Sequence, residues 1–300
     1  MAWYDVFDTL MAERLPLVQV LREEPMERHT TFRIGGPARR LAAPASITEM
    51  TDLLSLAEAE GWPWLVAGNG SNLLVADEGL DCLVILTTAL DFLALEGKST
   101  LVAGAGTRLA KAAVFAMEHS LAGLAFAHGI PGTVGGAVFM NAGAYGGEMA
   151  QVISRVTAWF PGEGVQELTE LDFGYRHSRF EEGGVILSAT LALHRGERGA
   201  IGREMAALIA RRQASQPLDR PSAGSAFKRP ATGYAAALID QCGLKGLTIG
   251  GAQVSEKHAG FIVNRGGATC ADVTALLAEV RRRVLAETGI DLEPEIRIVR

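Results

Sequence analysis

The chain runs to 300 residues, 48% hydrophobic and 21% charged, which suits one large domain or two to three modest ones around a well-developed core. Its net charge of −6 argues against a nucleic-acid partner, which would select a basic face. No apolar run approaches the roughly 20 residues that span a bilayer, so membrane insertion is not expected.

In chain order, the opening MAWYDVFDTLMAERL carries acidic residues where an export signal carries basic ones, and its apolar residues are interrupted. A helical extension on a protein retained in the cytoplasm is expected. Ser46 and Glu49 have the spacing of a capping box; behind them Ile47, Met50, Leu53, Leu54 and Ala57 form one helical stripe, which Gly61 ends. WLVAG then predicts a short buried strand that runs into the loop Gly68-Asn69-Gly70-Ser71-Asn72. A second unit repeats this order with strand TLVAG, turn Gly104-Ala105-Gly106 and a helix from Thr107 to about Glu118. His128 to Gly147 holds seven glycines in twenty residues, against 35 in the whole chain, too dense for scattered turns.

Val152 to Leu193 reads as strand-rich, with turns at Pro161-Gly162 and Gly183-Gly184. A helix over Ile201–Ala214 leads into QPLDRPSAGSAFKRP, whose three prolines predict a domain boundary as well as a site. Near the end, Thr269 and Asp272 form a second capping box. Val273, Leu276, Leu277, Val280, Val284 and Leu285 supply the apolar face of its helix, and Gly289 stops it. LEPEIRIV is the expected terminal strand. Helical and strand signals alternate throughout, which is the pattern of an α/β or α+β protein. Cys82, Cys242 and Cys270 are odd in number and widely spaced, as in a reducing compartment. The six histidines include no close pair and no HExxH, so no metal site is predicted.

Backbone N–H groups of a glycine-rich turn converge on a phosphate, because glycine reaches positive φ and admits the ligand closely. Two loops here have that character, Gly68–Asn72 and Gly132–Gly136, the second comprising Gly132, Thr133, Val134, Gly135 and Gly136. A pair of them points to a dinucleotide with a pyrophosphate. The rival is Gly104-Ala105-Gly106-Thr107-Arg108-Leu109, which lies between a strand and a helix as a Rossmann fingerprint does. It has Leu109 at the third glycine position and Phe126 where the ribose-binding acid belongs, so it reads as a strand-to-helix turn.

Seven segments then resemble, in order, the UDP-N-acetylenolpyruvoylglucosamine reductase family. They are HTTFRIGGPA at 29–38, GNGSNLLV at 68–75, GIPGTVGGAVFMNAGAYG at 129–146, GYRHSRF at 174–180, AGSAFKRP at 223–230, GLKGLTIGGAQVSEKHAGFIVN at 243–264 and LEPEIRIV at 292–299. The resemblance implies an α+β fold of the vanillyl-alcohol-oxidase type. Two α+β subdomains, 1–86 and 87–214, would hold a non-covalent, extended FAD, and a C-terminal α+β domain, 215–300, would bind a UDP-sugar. The short interval between Arg176 and Ser225 matches the compact subtype of the family. No obligate protein partner is expected.

The reaction so implied reduces an enolpyruvyl ether to a lactyl ether, giving UDP-N-acetylmuramate for peptidoglycan, with NADPH as the hydride source. An isolated enol ether is a poor hydride acceptor, so the enzyme must stabilise charge building on the substrate carboxylate and place an acid near the α-carbon. By resemblance Arg176 contacts that carboxylate, and a guanidinium has the planar fork of donors this requires. Ser225 matches the proton donor, and Glu295 the residue that helps polarise the carboxyl, a task that calls for a protonated and therefore buried glutamate. Lys228, in a locally basic stretch with Arg220 and Arg229, is read as a substrate contact. Arg229 stands where many relatives place Asn. His177 is read as structural. Strand alternation is expected to put Glu293, Glu295 and Arg297 opposite Leu292, Ile296 and Ile298. Two alternatives are a flavin oxidase of the same fold acting on a sugar or alcohol, and a non-catalytic sugar-nucleotide-binding protein. The trio Arg176, Ser225 and Glu295 speaks against both.

Overall fold

Short apolar strands and amphipathic helices take turns along the chain, and a computed structural model, which describes residues 2–300, shows where each packs. The contacts separate the chain into two units. The first comprises Met1–Arg22, Arg39–Asn69 and Cys82–Ala210; the second comprises Glu23–Ala38, Gly70–Asp81 and Arg211–Arg300.

In the first unit, α1 (Trp3–Arg14) buries Phe7 and Met11, with the Phe7 ring edge-on to Trp62 at 5.2 Å. Helix α2 (Ile47–Ala59) starts at Ser46, whose hydroxyl accepts from the Glu49 N–H at 3.1 Å. The Glu49 carboxylate accepts from the Ala45 N–H at 2.7 Å, one residue earlier than a strict capping box would have it. The expected stripe of α2 is buried at Met50, Leu53, Leu54 and Ala57, and it packs with Leu83, Ile85, Trp159 and Leu187. Each leucine buried there contributes about 1.5–3 kcal/mol. The strand Trp64–Ala67 lies parallel to Leu80–Leu86, and it is half-buried rather than buried as expected, with Ala67 alone fully covered; the first glycine loop leaves its C-terminal end.

A second sheet in this unit has the order Gly164–Leu168, Ile153–Phe160, Val185–Ala192, Thr100–Gly104, Leu93–Glu96, and all its neighbours are antiparallel. Helices α3 (Leu109–Glu118) and α4 (Val134–Phe139) bury Leu109, Ala112, Ala116, Val134 and Val138 in one cluster with the sheet residues Leu101, Val156 and Leu191. Helix α3 begins two residues later than Thr107, because the Thr107 N–H turns back to the Gly104 carbonyl at 3.0 Å. Helix α5 (Arg198–Ser215) starts earlier than Ile201. The Glu197 carboxylate accepts from the N–H groups of Gly199 and Ala200, both at 2.6 Å, and so caps it.

The second unit contains α6 (Ala235–Gln241), α7 (Cys270–Thr288) and an antiparallel sheet ordered Ser222–Ser225, Phe261–Asn264, Ala252–Val254, Thr248–Ile249. The strand Leu73–Val75 pairs in parallel with Arg297–Val299. The terminal strand is thus shorter than LEPEIRIV. The Glu295 N–H donates to the Ala226 carbonyl at 2.9 Å, and Phe227 bridges Pro294, so residues before Arg297 follow a different neighbour. The alternation fails with it: Leu292 and Ile296 are buried, but Ile298 is 38% exposed. Leu285, expected on the apolar face of α7, is 44% exposed, because the buried stripe ends at Val284 and the next residue turns about 100° away.

Helix α7 has a doubly built N-terminus. The Thr269 hydroxyl accepts from the Asp272 N–H at 3.0 Å, and Asp272 Oδ2 accepts from the N–H groups of Thr269 at 3.1 Å and Gly251 at 3.0 Å. Beside it the Asp77 carboxylate takes the N–H groups of Cys270 and Ala271 at 2.7 and 3.0 Å. These acceptors satisfy donors that no helical carbonyl can reach. The backbone N–H groups of Gly251 and Thr269 hold the Asp272 carboxyl below its ordinary pKa. A carboxyl depressed in this way stabilises the fold above its unfolded pKa, and that contribution is lost as pH falls through the folded value. Asp272→Ala is therefore expected to lower stability in urea at pH 7 by about 1 kcal/mol. The deficit against the parent protein should shrink below about pH 4; a deficit that is the same at pH 7 and pH 3 would show that the charge plays no part.

Candidate active site

Gly68 and Asn69, which open the first glycine loop, meet the second loop within the first unit. The Asn69 side-chain amide donates to the Pro131 carbonyl at 2.7 Å, and a Cβ on Gly68 would strike the Thr133 hydroxyl. The second loop is laid along the turn that imitates a Rossmann fingerprint. Leu109 N–H donates to the Gly132 carbonyl at 3.1 Å, Val134 N–H to Thr107 at 2.8 Å and Gly135 N–H to Ala105 at 2.9 Å. The Gly104-Ala105-Gly106 turn thus supports a neighbouring loop. Thr133 caps α4, its hydroxyl accepting from the Gly136 N–H at 3.4 Å.

The glycines of this loop have different reasons to be glycine. Gly135 is buried, and a Cβ there would lie 2.9 Å from the Ala105 Cβ, so the protein's own packing requires it. Gly136 is exposed, and beyond its chain neighbours and its own helix backbone its Cβ position meets only the Thr133 hydroxyl, at 3.5 Å. Only a ligand would need that space. Just upstream, the His128 Nδ1 is buried with no hydrogen-bond partner among the described residues, and burial pushes its imidazole below the usual histidine pKa. Buried polar atoms in folded proteins are rarely left so, unless a bound group or water meets them. Paired loops, an open glycine backbone and an orphaned ring nitrogen fit a dinucleotide such as FAD. The remaining residues of the first loop, Gly70, Ser71 and Asn72, belong to the second unit. There Gly70 has φ +59°, and a Cβ on it would overlap the His29 carbonyl. The Asn72 amide donates to the Glu295 carbonyl at 3.1 Å.

Arg176, in the first unit, is half-buried and sits at the tip of a tight turn. Gly174 and His177 exchange N–H···O bonds at 3.1 and 3.2 Å, and Arg176 between them has φ +56°. Its guanidinium lies 5.2 Å from the centre of the Tyr175 ring. His177 is engaged by Glu181 at 2.7 Å on the surface. Two residues outside the candidate set hold the turn. The Asn141 amide donates to the Gly174 carbonyl at 2.9 Å, and the Ser178 hydroxyl donates to the Phe139 carbonyl at 2.7 Å. Asn141 follows α4 in the left-handed region, and an asparagine after an apolar helical run is the one sequence signal that points to it.

Ser225 and Glu295 are brought close in the second unit. Ser225 ends its strand after a register shift, with Gly224 at φ +78°, and irregularities of this kind re-aim the following side chain. The next residue, Ala226, accepts the Glu295 N–H, so the two backbones run side by side. Glu295 is half-buried. Lys228 donates to a Glu293 carboxylate oxygen at 2.6 Å in a solvent-exposed pair, an interaction worth about 0–1 kcal/mol and readily exchanged for a ligand. The Arg229 guanidinium lies 4.3 Å from the centre of the Tyr234 ring, which is exposed. No helix among the described residues is long and apolar enough to cross a membrane.

The open space at Gly136 has a direct consequence. Gly136→Val should leave apoprotein stability within about 1 kcal/mol, since valine is no poorer a helix former than glycine, yet reduce bound flavin at least tenfold. Gly135→Val should instead destabilise the apoprotein itself. Flavin titration and thermal unfolding of both variants check this, and undiminished flavin binding by Gly136→Val would remove the loop from the cofactor site.

Comparison with known proteins extends these observations. Residues 216–299 match the family description "UDP-N-acetylenolpyruvoylglucosamine reductase, C-terminal domain", and residues 38–169 match an FAD binding domain. Proteins named UDP-N-acetylenolpyruvoylglucosamine reductase include one from Latilactobacillus sakei, 46% identical over 94% of this chain and 94% of its own. Another, from Heliobacterium modesticaldum, is 47% identical over 94% of this chain and 91% of its own. The crystal structure of the reductase from Thermus caldophilus superposes with a TM-score of 0.79 at 38% identity, covering 94% of this chain and 99% of that one. An alkyldihydroxyacetonephosphate synthase structure, 16% identical with a TM-score of 0.51, covers 65% of this chain and 41% of that one, and shares the fold alone. With an FAD-binding domain, a reductase C-terminal domain and near end-to-end similarity to named reductases, this chain belongs to the UDP-N-acetylenolpyruvoylglucosamine reductase family.

Proposed function

We propose that the protein reduces the enolpyruvyl ether of UDP-N-acetylglucosamine enolpyruvate to the lactyl ether of UDP-N-acetylmuramate. The reaction takes place in the cytoplasm, during peptidoglycan precursor synthesis. The observation that carries this reading is the family match along 94% of the chain. Gly68–Asn72 and Gly132–Gly136 would hold FAD without a covalent bond, and the bound flavin would supply hydride transfer from NADPH to the enolpyruvyl β-carbon. Residues 1–86 and 87–214 form the two halves of the cofactor-binding part, and 215–300 bind the substrate.

The side chains divide the remaining work. Arg176 binds the substrate carboxylate and favours the charge that builds there. Ser225 delivers a proton to the α-carbon. Glu295, whose backbone is tied to the strand end that carries Ser225, acts on the carboxyl from within the same unit. Lys228 exchanges its Glu293 partner for the substrate diphosphate.

Taking hydride from NADPH requires no proton at the substrate carbon, so the two half-reactions separate the roles. Ser225→Ala is expected to bleach the flavin at a near-parental rate with NADPH, and to slow its reoxidation by the enolpyruvyl substrate roughly 10²-fold or more. Stopped-flow absorbance follows each half. Equal slowing of both would assign Ser225 to positioning of the flavin or the fold, and slowing of neither would place the proton on another group.

A further inference from the structure

We propose that Asn141 and Ser178 are positioning residues for Arg176. Together they latch the left-handed turn that presents its guanidinium onto the C-terminal end of α4, the helix that begins in the second glycine loop. The proposal rests on the carboxylate-binding reading of Arg176.

An arginine at φ +56° occupies a region that costs an L-residue of order 1 kcal/mol or more, and it stays there only where its surroundings over-determine the backbone. The two bonds between Gly174 and His177 fix the shape of the turn but not its place in the protein. Asn141 and Ser178 supply the place. Asn141 is 2% exposed, and both ends of its amide are used: Nδ2 donates to the Gly174 carbonyl at 2.9 Å, while Oδ1 accepts the Ala150 N–H at 2.9 Å. Ser178 is fully buried, and its hydroxyl donates to the Phe139 carbonyl at 2.7 Å. Gly174 and Ser178 flank the arginine on either side, so the turn is held at both feet.

Both anchors sit at one helix end. Phe139 is the last residue of α4, and Asn141 follows it with its own N–H on the Val138 carbonyl at 3.1 Å and its φ at +40°. The other end of α4 is capped by Thr133, inside the second glycine loop. Only Ala137 and Val138 therefore lie between Gly136, the last residue of the loop that would hold the flavin, and Phe139, the first residue of the latch. A short buried helix transmits position without bending, so the distance between cofactor and carboxylate-binding group is set by covalent and hydrogen-bonded structure. Misplacing such a group by an ångström costs about 10²-fold in rate.

The test compares Asn141→Asp, Ser178→Ala and Arg176→Ala. Asn141→Asp keeps the acceptor for Ala150 and loses the donor to Gly174. Four quantities are measured: bound FAD, the rate of flavin reduction by NADPH, the rate of reoxidation by the enolpyruvyl substrate, and the affinities of UDP-N-acetylmuramate and UDP-N-acetylglucosamine. The last two differ in the carboxylate-bearing lactyl group. Asn141→Asp and Ser178→Ala are expected to retain FAD, parental reduction rates and parental affinity for UDP-N-acetylglucosamine. They should slow reoxidation roughly 10- to 10²-fold and bind UDP-N-acetylmuramate several-fold more weakly. Unchanged reoxidation in both, with a defective Arg176→Ala, would overturn the latch while leaving Arg176 its role. A normal Arg176→Ala would instead remove the reading of Arg176. Loss of FAD from both variants, or equal loss of affinity for the two sugar nucleotides, would overturn the proposal by showing a role in the fold alone.

Discussion

The hydrogen bond from the Asn69 amide to the Pro131 carbonyl brings two glycine loops into contact, and most of the candidate cofactor site follows from that approach. Neither loop could come so near another backbone with side chains in the way, as the overlap of a Gly68 Cβ with the Thr133 hydroxyl shows. Once the second loop is laid along residues 105–109, its backbone donors are divided. Val134 and Gly135 give theirs to the protein, and Gly136 gives its own to the cap of α4. Of the loop's glycines Gly136 alone is exposed, and the His128 Nδ1 a few residues upstream is buried with no partner among the described residues.

In the second unit, backbone pairing joins segments that lie far apart in the chain. A serine and a glutamate far apart in sequence are set side by side by two backbone bonds, from Glu295 to Ala226 and from Lys228 to Glu293. Asn72 adds a third link to the Glu295 carbonyl. Bonds between backbone groups place these segments without drawing on their side chains. At the cap of α7, two carboxylates meet backbone donors that the helix cannot satisfy.

The family signature mixes residues of both kinds, and the structure separates them. Gly36 belongs to the signature because a Cβ there would run into the Asp77 carbonyl, a constraint of packing. Gly135 is in the same position with respect to Ala105. Gly136 meets no such overlap, while Ser225 and Arg176 are matters of side-chain chemistry rather than of space. Arg176 in particular is held in a conformation the backbone would not choose unaided.

Periodicity and capping residues made α2 and α7 legible from sequence, because the forces that start, pack and stop a helix act within a few residues of each other. The glycine loops and the family membership were legible for a similar reason, each being a contiguous run with a local conformational meaning. The terminal strand was not: Ile298 faces solvent and Leu292–Ile296 leave the ladder, since their partner is a segment some seventy residues earlier in the chain. The false fingerprint at Gly104 was excluded from the sequence, but its use as the bed of the second loop was not visible there. Nor was the latch of Asn141 and Ser178, two ordinary polar residues whose importance arises only when Phe139 and Gly174 are brought beside them. By itself the sequence determined helices α2 and α7, the two glycine-rich segments and the family, because these depend on short-range stereochemistry and chemical identity. Only the tertiary structure decided which glycines serve packing, which remain open to a ligand, and what holds the arginine turn, because these depend on close approaches between distant segments.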